Sequence, residues 1–213
     1  MRFFVLMTMV ATSMLGQMGR QSATVPNYVA IGVAQNCLNW CWAAGAAMLT
    51  RSQGINIPQE EFVRRIYGPS TPCLPTFGRL EPIVAALQGT YSDADGQPVT
   101  LRAAFNYGPP TDAFGMIRSI QEGRPFIFAW RGHAYVGYGL TWDRYPNGGV
   151  QIWEIKLIDP MFGYGAQKYT NFLVGRDNFG DINGTLELIV DRGSVGPASG
   201  GGSRKKSKRG GGN

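Results

Sequence analysis

Two periodicities divide the chain. In its first half apolar residues recur at helical spacing. "CWAAGAAMLT", Cys41 to Thr50, is alanine-rich and predicts a buried helix despite Gly45. "IPQEEFVRRIYG" predicts a second helix starting after Pro58, with Gln59, Glu60 and Glu61 in its first turn and Gly68 closing it. "RLEPIVAALQG" predicts a third, beginning near Glu81 and Pro82. "PTDAFGMIRSIQEG" predicts a fourth, with Thr111 or Asp112 as cap and Gly123 as stop. Beyond Gly123 the pattern shortens. "RPFIFAWR", "HAYVGYGLTW", "VQIWEIKLID", "QKYTNFLV" and "GTLELIVD" are β-rich runs separated by Gly, Pro, Asn and Asp, and "DRYPNGGV" between two of them is a hairpin signal. Helices first and antiparallel strands afterwards predict an α+β fold, its N-terminal helical half packed on a C-terminal twisted antiparallel sheet. No motif is assigned between Gly54 and Gly123.

Composition adds boundaries. The 213 residues, 44% apolar and 16% charged, suffice for one well-buried domain. The formal charge of +6 is concentrated: Arg204, Lys205, Lys206, Lys208 and Arg209 lie in a Gly/Ser-rich tail without an acid, which leaves the rest close to neutral. A nucleic-acid-binding role for the folded part is therefore not expected, although the tail is a candidate contact for anionic surfaces. At the other end "MRFFVLMTMVATSML" has an early arginine, a short apolar run and small residues. It reads as a signal peptide too short to span a bilayer. The expected organisation is a leader at 1–23, a domain at 24–192 and a disordered basic tail at 193–213. The expected location is secreted or periplasmic, with a translocated effector as the alternative.

The candidate chemistry gathers around few residues. His133 is the single histidine, and it enters an apolar strand where an idle imidazole is poorly placed. Asp159 ends a strand expected to neighbour that of His133, so its carboxylate can hold one ring nitrogen and orient the other. Cys41 stands where a loop becomes a helix, and the free N–H groups and macrodipole of a helix start favour a thiolate. Gln35, six residues earlier, can bring its amide N–H to the same place and, with the backbone N–H of Cys41, form a two-donor oxyanion hole. Two other readings compete. Cys37, Cys41, Cys73 and His133 are four possible zinc ligands, but that set leaves Trp40, Trp42 and the alanine helix without a role. Cys41 as a small buried hydrophobe leaves the coincidence of Gln35, Cys41 and His133 unexplained. Trp40 and Trp42 are expected in packing, and Trp130 and Trp153 in the core or a cleft wall.

A glutamine, six positions on a Cys-Trp-Ala, and much later His-Ala leading to Gly-Tyr-Gly together resemble the papain-like cysteine peptidases. The "NWCWAA" form is most similar to compact bacterial secreted and effector members. The resemblance implies a papain-like fold with Cys41 as nucleophile, His133 as base, Gln35 in the oxyanion hole and Asp159 in the orienting role, where papain itself has asparagine. It implies a cysteine endopeptidase acting on protein or peptide substrates as a monomer, with no metal or organic cofactor. Amidase, deamidase or acyltransferase chemistry on the same triad is the alternative, and a non-catalytic binding protein on the scaffold a second. Papain relatives often tie the segment before the nucleophile to a later loop. That implies a Cys37–Cys73 disulfide, given an oxidising compartment, with Cys41 left as the free thiol. The family's cysteine usually stands three residues before the nucleophile, whereas Cys37 stands four before Cys41.

Overall fold

The computed structural model describes residues 19–69, 73, 80–161 and 168–191. Most of the expected leader and all of the expected tail lie outside them. Among the described residues there are five α-helices and eight strands in one antiparallel sheet, an α+β architecture. The helices are α1 (Tyr28–Ile31), α2 (Cys41–Ser52), α3 (Gln59–Tyr67), α4 (Leu80–Ala86) and α5 (Ala113–Gln121). The strands are β1 (Gln21–Thr24), β2 (Gly89–Ser92), β3 (Pro98–Tyr107), β4 (Phe126–Trp130), β5 (His133–Arg144), β6 (Val150–Asp159), β7 (Lys168–Leu173) and β8 (Ile182–Asp191). They lie in the order β2-β3-β8-β4-β5-β6-β7, and β1 pairs with the far half of β5. No described helix is long and apolar enough to cross a membrane.

The sheet is covered on both faces, and its central strands show why. In β4, Phe126, Phe128 and Trp130 enter one apolar cluster, and the intervening Ile127 enters the other. A strand buried on both faces reads as an unbroken apolar run, and "FIFAW" is one. The first cluster joins the sheet to the alanine face of α2 and to Phe62 and Val63 of α3; the second is closed by Met116, Ile117 and Ile120 of α5. Small residues on α2 permit its close approach. A Cβ added at Gly45 would stand 3.0 Å from Ile127 Cγ1 and 3.2 Å from its Cδ1, so this glycine is a packing requirement rather than a helix defect.

The expected boundaries of α3 and α5 hold, including Asp112, whose carboxylate accepts from Gly115 N at 2.8 Å. The expected order of helices before strands does not hold fully, because the β2–β3 hairpin stands between α4 and α5. Its signal is present in the sequence: Val99, Leu101, Ala103 and Phe105 alternate after the turn residues "SDADGQ". β1 extends the sheet into the last residues of the segment expected as leader. Trp153 is not in the core. It is exposed, donates Nε1–H to Asp143 at 2.6 Å and carries the Arg20 guanidinium over its ring. Trp40, Trp42 and Trp130 are buried.

Candidate active site

Cys41 is the first residue of α2, so its backbone N–H has no intrahelical acceptor. The helix behind it is buried from Trp42 to Thr50, which fixes the position of its first turn. The loop ahead of it is held at several points. Cys37 O accepts from Trp40 N at 3.2 Å and from Gln35 Nε2 at 3.0 Å, and Gln35 N donates to Pro160 O at 2.8 Å. Asn39 sits at φ 66°, a left-handed conformation that asparagine tolerates better than most residues. Cys37 and Cys73 form a disulfide with their Cα atoms 5.2 Å apart, which leaves Cys41 free. The zinc reading loses two of its four ligands to that bond.

His133 opens β5 after a two-residue turn. Arg131 and Gly132 both have positive φ, 53° and 73°, the signature of a type I′ hairpin, and Trp130 pairs with His133 across it. Arginine is an unusual occupant of such a position, and the surroundings hold it there. Its N–H donates to Asp181 O at 2.9 Å, its Nε meets Asp181 Oδ2 at 2.9 Å, and its guanidinium lies over Trp130. Gly132 N donates to Asn183 Oδ1 at 3.0 Å. The turn is therefore clamped to the start of β8, and the imidazole direction with it.

Asp159 is the last residue of β6, beside β5 in the register that places Ile158 opposite Val136. Its Oδ1 lies 2.7 Å from His133 Nε2. With Nε2 turned to Asp159, Nδ1 is the ring nitrogen left for Cys41, whose sulfur is near enough to the ring to raise its pKa. The sulfur in turn accepts from Ala134 N at 3.4 Å. Burial alone would lower the proton affinity of His133. The hydrogen bonds to Asp159 and Cys41 and the negative charge at both positions outweigh it, and the pKa rises from 6.5 to about 9. At neutral pH the ring is an imidazolium, set between Cys41 and Asp159. Tyr135, two residues along the same strand face, stands edge-to-face against it at 4.6 Å between centroids.

Three of the four residues expected at the site share a cleft, and the fourth, Cys41, adjoins His133. His133, Asp159 and Gln35 line one cleft of about 320 Å³ with Leu38, Asn39 and Met161. Gln35 is 7% exposed, and one of its two Nε2 hydrogens is taken by Cys37 O. One donor remains for a ligand.

Sequence reasoning missed Tyr135, the Asp181–Asn183 clamp and Gln59. None has a motif: each acts through position in the fold, and the available signals were only the "RG" turn and a glutamine directly after Pro58. No protein-family model matches this chain, and no curated protein matches it.

Proposed function

We propose that the protein is a papain-like cysteine endopeptidase in which Cys41 and His133 perform acyl transfer. The observation that carries this reading is the chain of contacts from the Cys41 thiol to His133 and from His133 Nε2 to Asp159 Oδ1. A nucleophile, a base and an orienting carboxylate stand in sequence, each supplied by a different element. The Cys41 thiolate attacks the scissile carbonyl carbon, and the C=O electron pair moves onto oxygen. That oxyanion accepts from Cys41 N–H and from the remaining Nε2–H of Gln35. The imidazolium gives its Nδ1 proton to the leaving amine as the C–N bond breaks, which leaves a thioester on Cys41. Neutral His133 then takes a proton from water. The hydroxide so formed attacks the thioester, and the C–S bond breaks to release the acid and the thiolate. Asp159 keeps its bond to Nε2 throughout and holds the ring orientation.

The Cys37–Cys73 disulfide supports an oxidising workplace, outside the cytosol of a typical mesophile. The test is incubation of wild type and Cys41→Ala with a peptide library, read by mass spectrometry. New peptide termini that depend on Cys41 are expected. Deamidated or acylated products at unchanged chain length would assign the same triad to amidase or acyltransferase chemistry, and identical spectra from the two proteins would end the catalytic reading.

A further inference from the structure

We propose that Gln59 is a positioning residue: it fixes the loop that presents the Gln35 amide to the oxyanion, and so sets turnover without touching substrate. This inference rests on the oxyanion role given to Gln35 above. Gln59 is the first residue of α3, yet its side chain is not solvated; it is only 5% exposed. Polar side chains buried to that degree are normally there to complete hydrogen bonds. The partners of Gln59 lie on both sides of Gln35. Nε2 donates to Ala34 O at 2.8 Å, Oε1 accepts from Asn36 N at 3.1 Å, and a longer contact of 3.5 Å reaches Asn36 Oδ1. The next residue, Glu60, accepts from Asn36 Nδ2 at 2.6 Å.

The residue between these two anchors is tied from the opposite side, because Gln35 N donates to the carbonyl of Pro160, immediately after Asp159. The loop is therefore pinned to the helical half through Gln59 and to the sheet half through Pro160, with Gln35 between the pins. Backbone N–H and C=O groups in an irregular loop have no ladder to satisfy them. One side-chain amide supplies a donor and an acceptor at once, which no apolar residue and no ionised acid can do. Catalytic donors must be held to within about half an ångström, so a loop freed at residues 34 and 36 misplaces the amide it carries.

The chemistry of the amide provides the test. In Gln59→Glu a protonated carboxyl still donates to Ala34 O and accepts from Asn36 N, whereas an ionised one loses the donor and repels the Ala34 carbonyl. Burial at this position raises the carboxyl above the ordinary glutamate range, so relative to wild type the kcat of this variant should be near normal at about pH 5 and fall by about 10- to 100-fold by pH 8, with KM little changed. The upper bound is the 10²- to 10³-fold typical for deletion of a whole oxyanion donor. Gln59→Met, neutral and similar in length, should show a comparable loss at every pH. Alkylation of Cys41 by iodoacetamide needs no oxyanion hole and should proceed at the wild-type rate in both variants. Wild-type kcat in Gln59→Met overturns the proposal, as does a loss of kcat matched by a loss of alkylation, which would mark general loosening. Failure of the peptidase reading is recognised separately, because wild type itself would then release no Cys41-dependent product, and the inference would fall with it.

Discussion

Asp159→Asn tests how much of the protonation of His133 comes from the Asp159 carboxylate rather than from Cys41. The amide keeps an oxygen near the position of Oδ1, 2.7 Å from Nε2, but removes the negative charge. In the wild type burial opposes protonation, and the bonds and charges of Asp159 and Cys41 prevail, carrying the pKa from 6.5 to about 9. That net rise corresponds to roughly 3 kcal/mol in favour of the imidazolium. The figure is an upper bound, since the His133 side chain is 30% exposed and solvent screens the interaction. An opposite charge at hydrogen-bonding distance accounts for about 1–3 pH units, so the substituted protein should titrate lower by about that amount. Because the chain has one histidine, the imidazole Cε1–H proton is a single NMR resonance and the midpoint is read without assignment. The sign for stability follows. The folded-state value lies above the unfolded one, so the contribution is fully present below pH 6.5 and is lost as pH rises through about 9. Urea midpoints of the wild type should therefore decline between those values, and Asp159→Asn should flatten the decline. Asp95→Ala, an exposed turn acid, should leave both curves unchanged. A wild-type midpoint near 6.5, or equal midpoints in wild type and Asp159→Asn, would refute the reasoning.

Two further outcomes test the frame around the site. Thiol titration of the denatured, unreduced protein should find one reactive group out of three cysteines, and Cys37→Ser/Cys73→Ser should lower stability by about 3–4 kcal/mol for a bridge spanning 36 positions; three reactive thiols would remove the bridge. Gly45→Val should cost about 1–3 kcal/mol by overpacking α2 against Ile127 and Val136. It should also slow Cys41 alkylation at neutral pH, and a urea midpoint equal to wild type would show that α2 is not held at this contact.

What the sequence revealed and what it withheld divide along physical lines. The candidates Cys41, Gln35 and His133 stood out because the chemistry proposed for them calls for particular residue types at particular places along the chain. α3 and α5 were legible because capping and stop signals are local: Asp112 bonds to Gly115 N three residues on, and Gly123 takes φ 79° at the end of α5. β3 was missed although it alternates, because half of its inward positions are only partly buried and the segment resembles a polar connection. Gln59 was invisible for a different reason. A polar residue in the first turn of a helix is ordinarily solvated, and only the return of residues 34–36 across α3 buries it. Trp153 shows the converse case: an aromatic on a strand suggests core, yet a neighbouring Asp143 and an arriving Arg20 can satisfy it at the surface.

The two halves of the site are held by unlike means, and this bears on how it fails. His133 and Asp159 sit on adjacent strands whose register is fixed by both apolar clusters, so their contact survives anything short of unfolding the sheet. Gln35 depends on side-chain bonds from Gln59 to the residues on either side of it, Cys41 depends on the packing of α2 at Gly45, and one disulfide ties the loop between them. Such bonds open locally at lower cost than a central ladder. Under the proposed function, damage to the loop should therefore abolish turnover while the histidine still titrates with its Asp159 partner in place. Damage to the sheet should remove both together. The order of loss under rising denaturant, catalysis before the shifted histidine resonance, follows from that difference in construction.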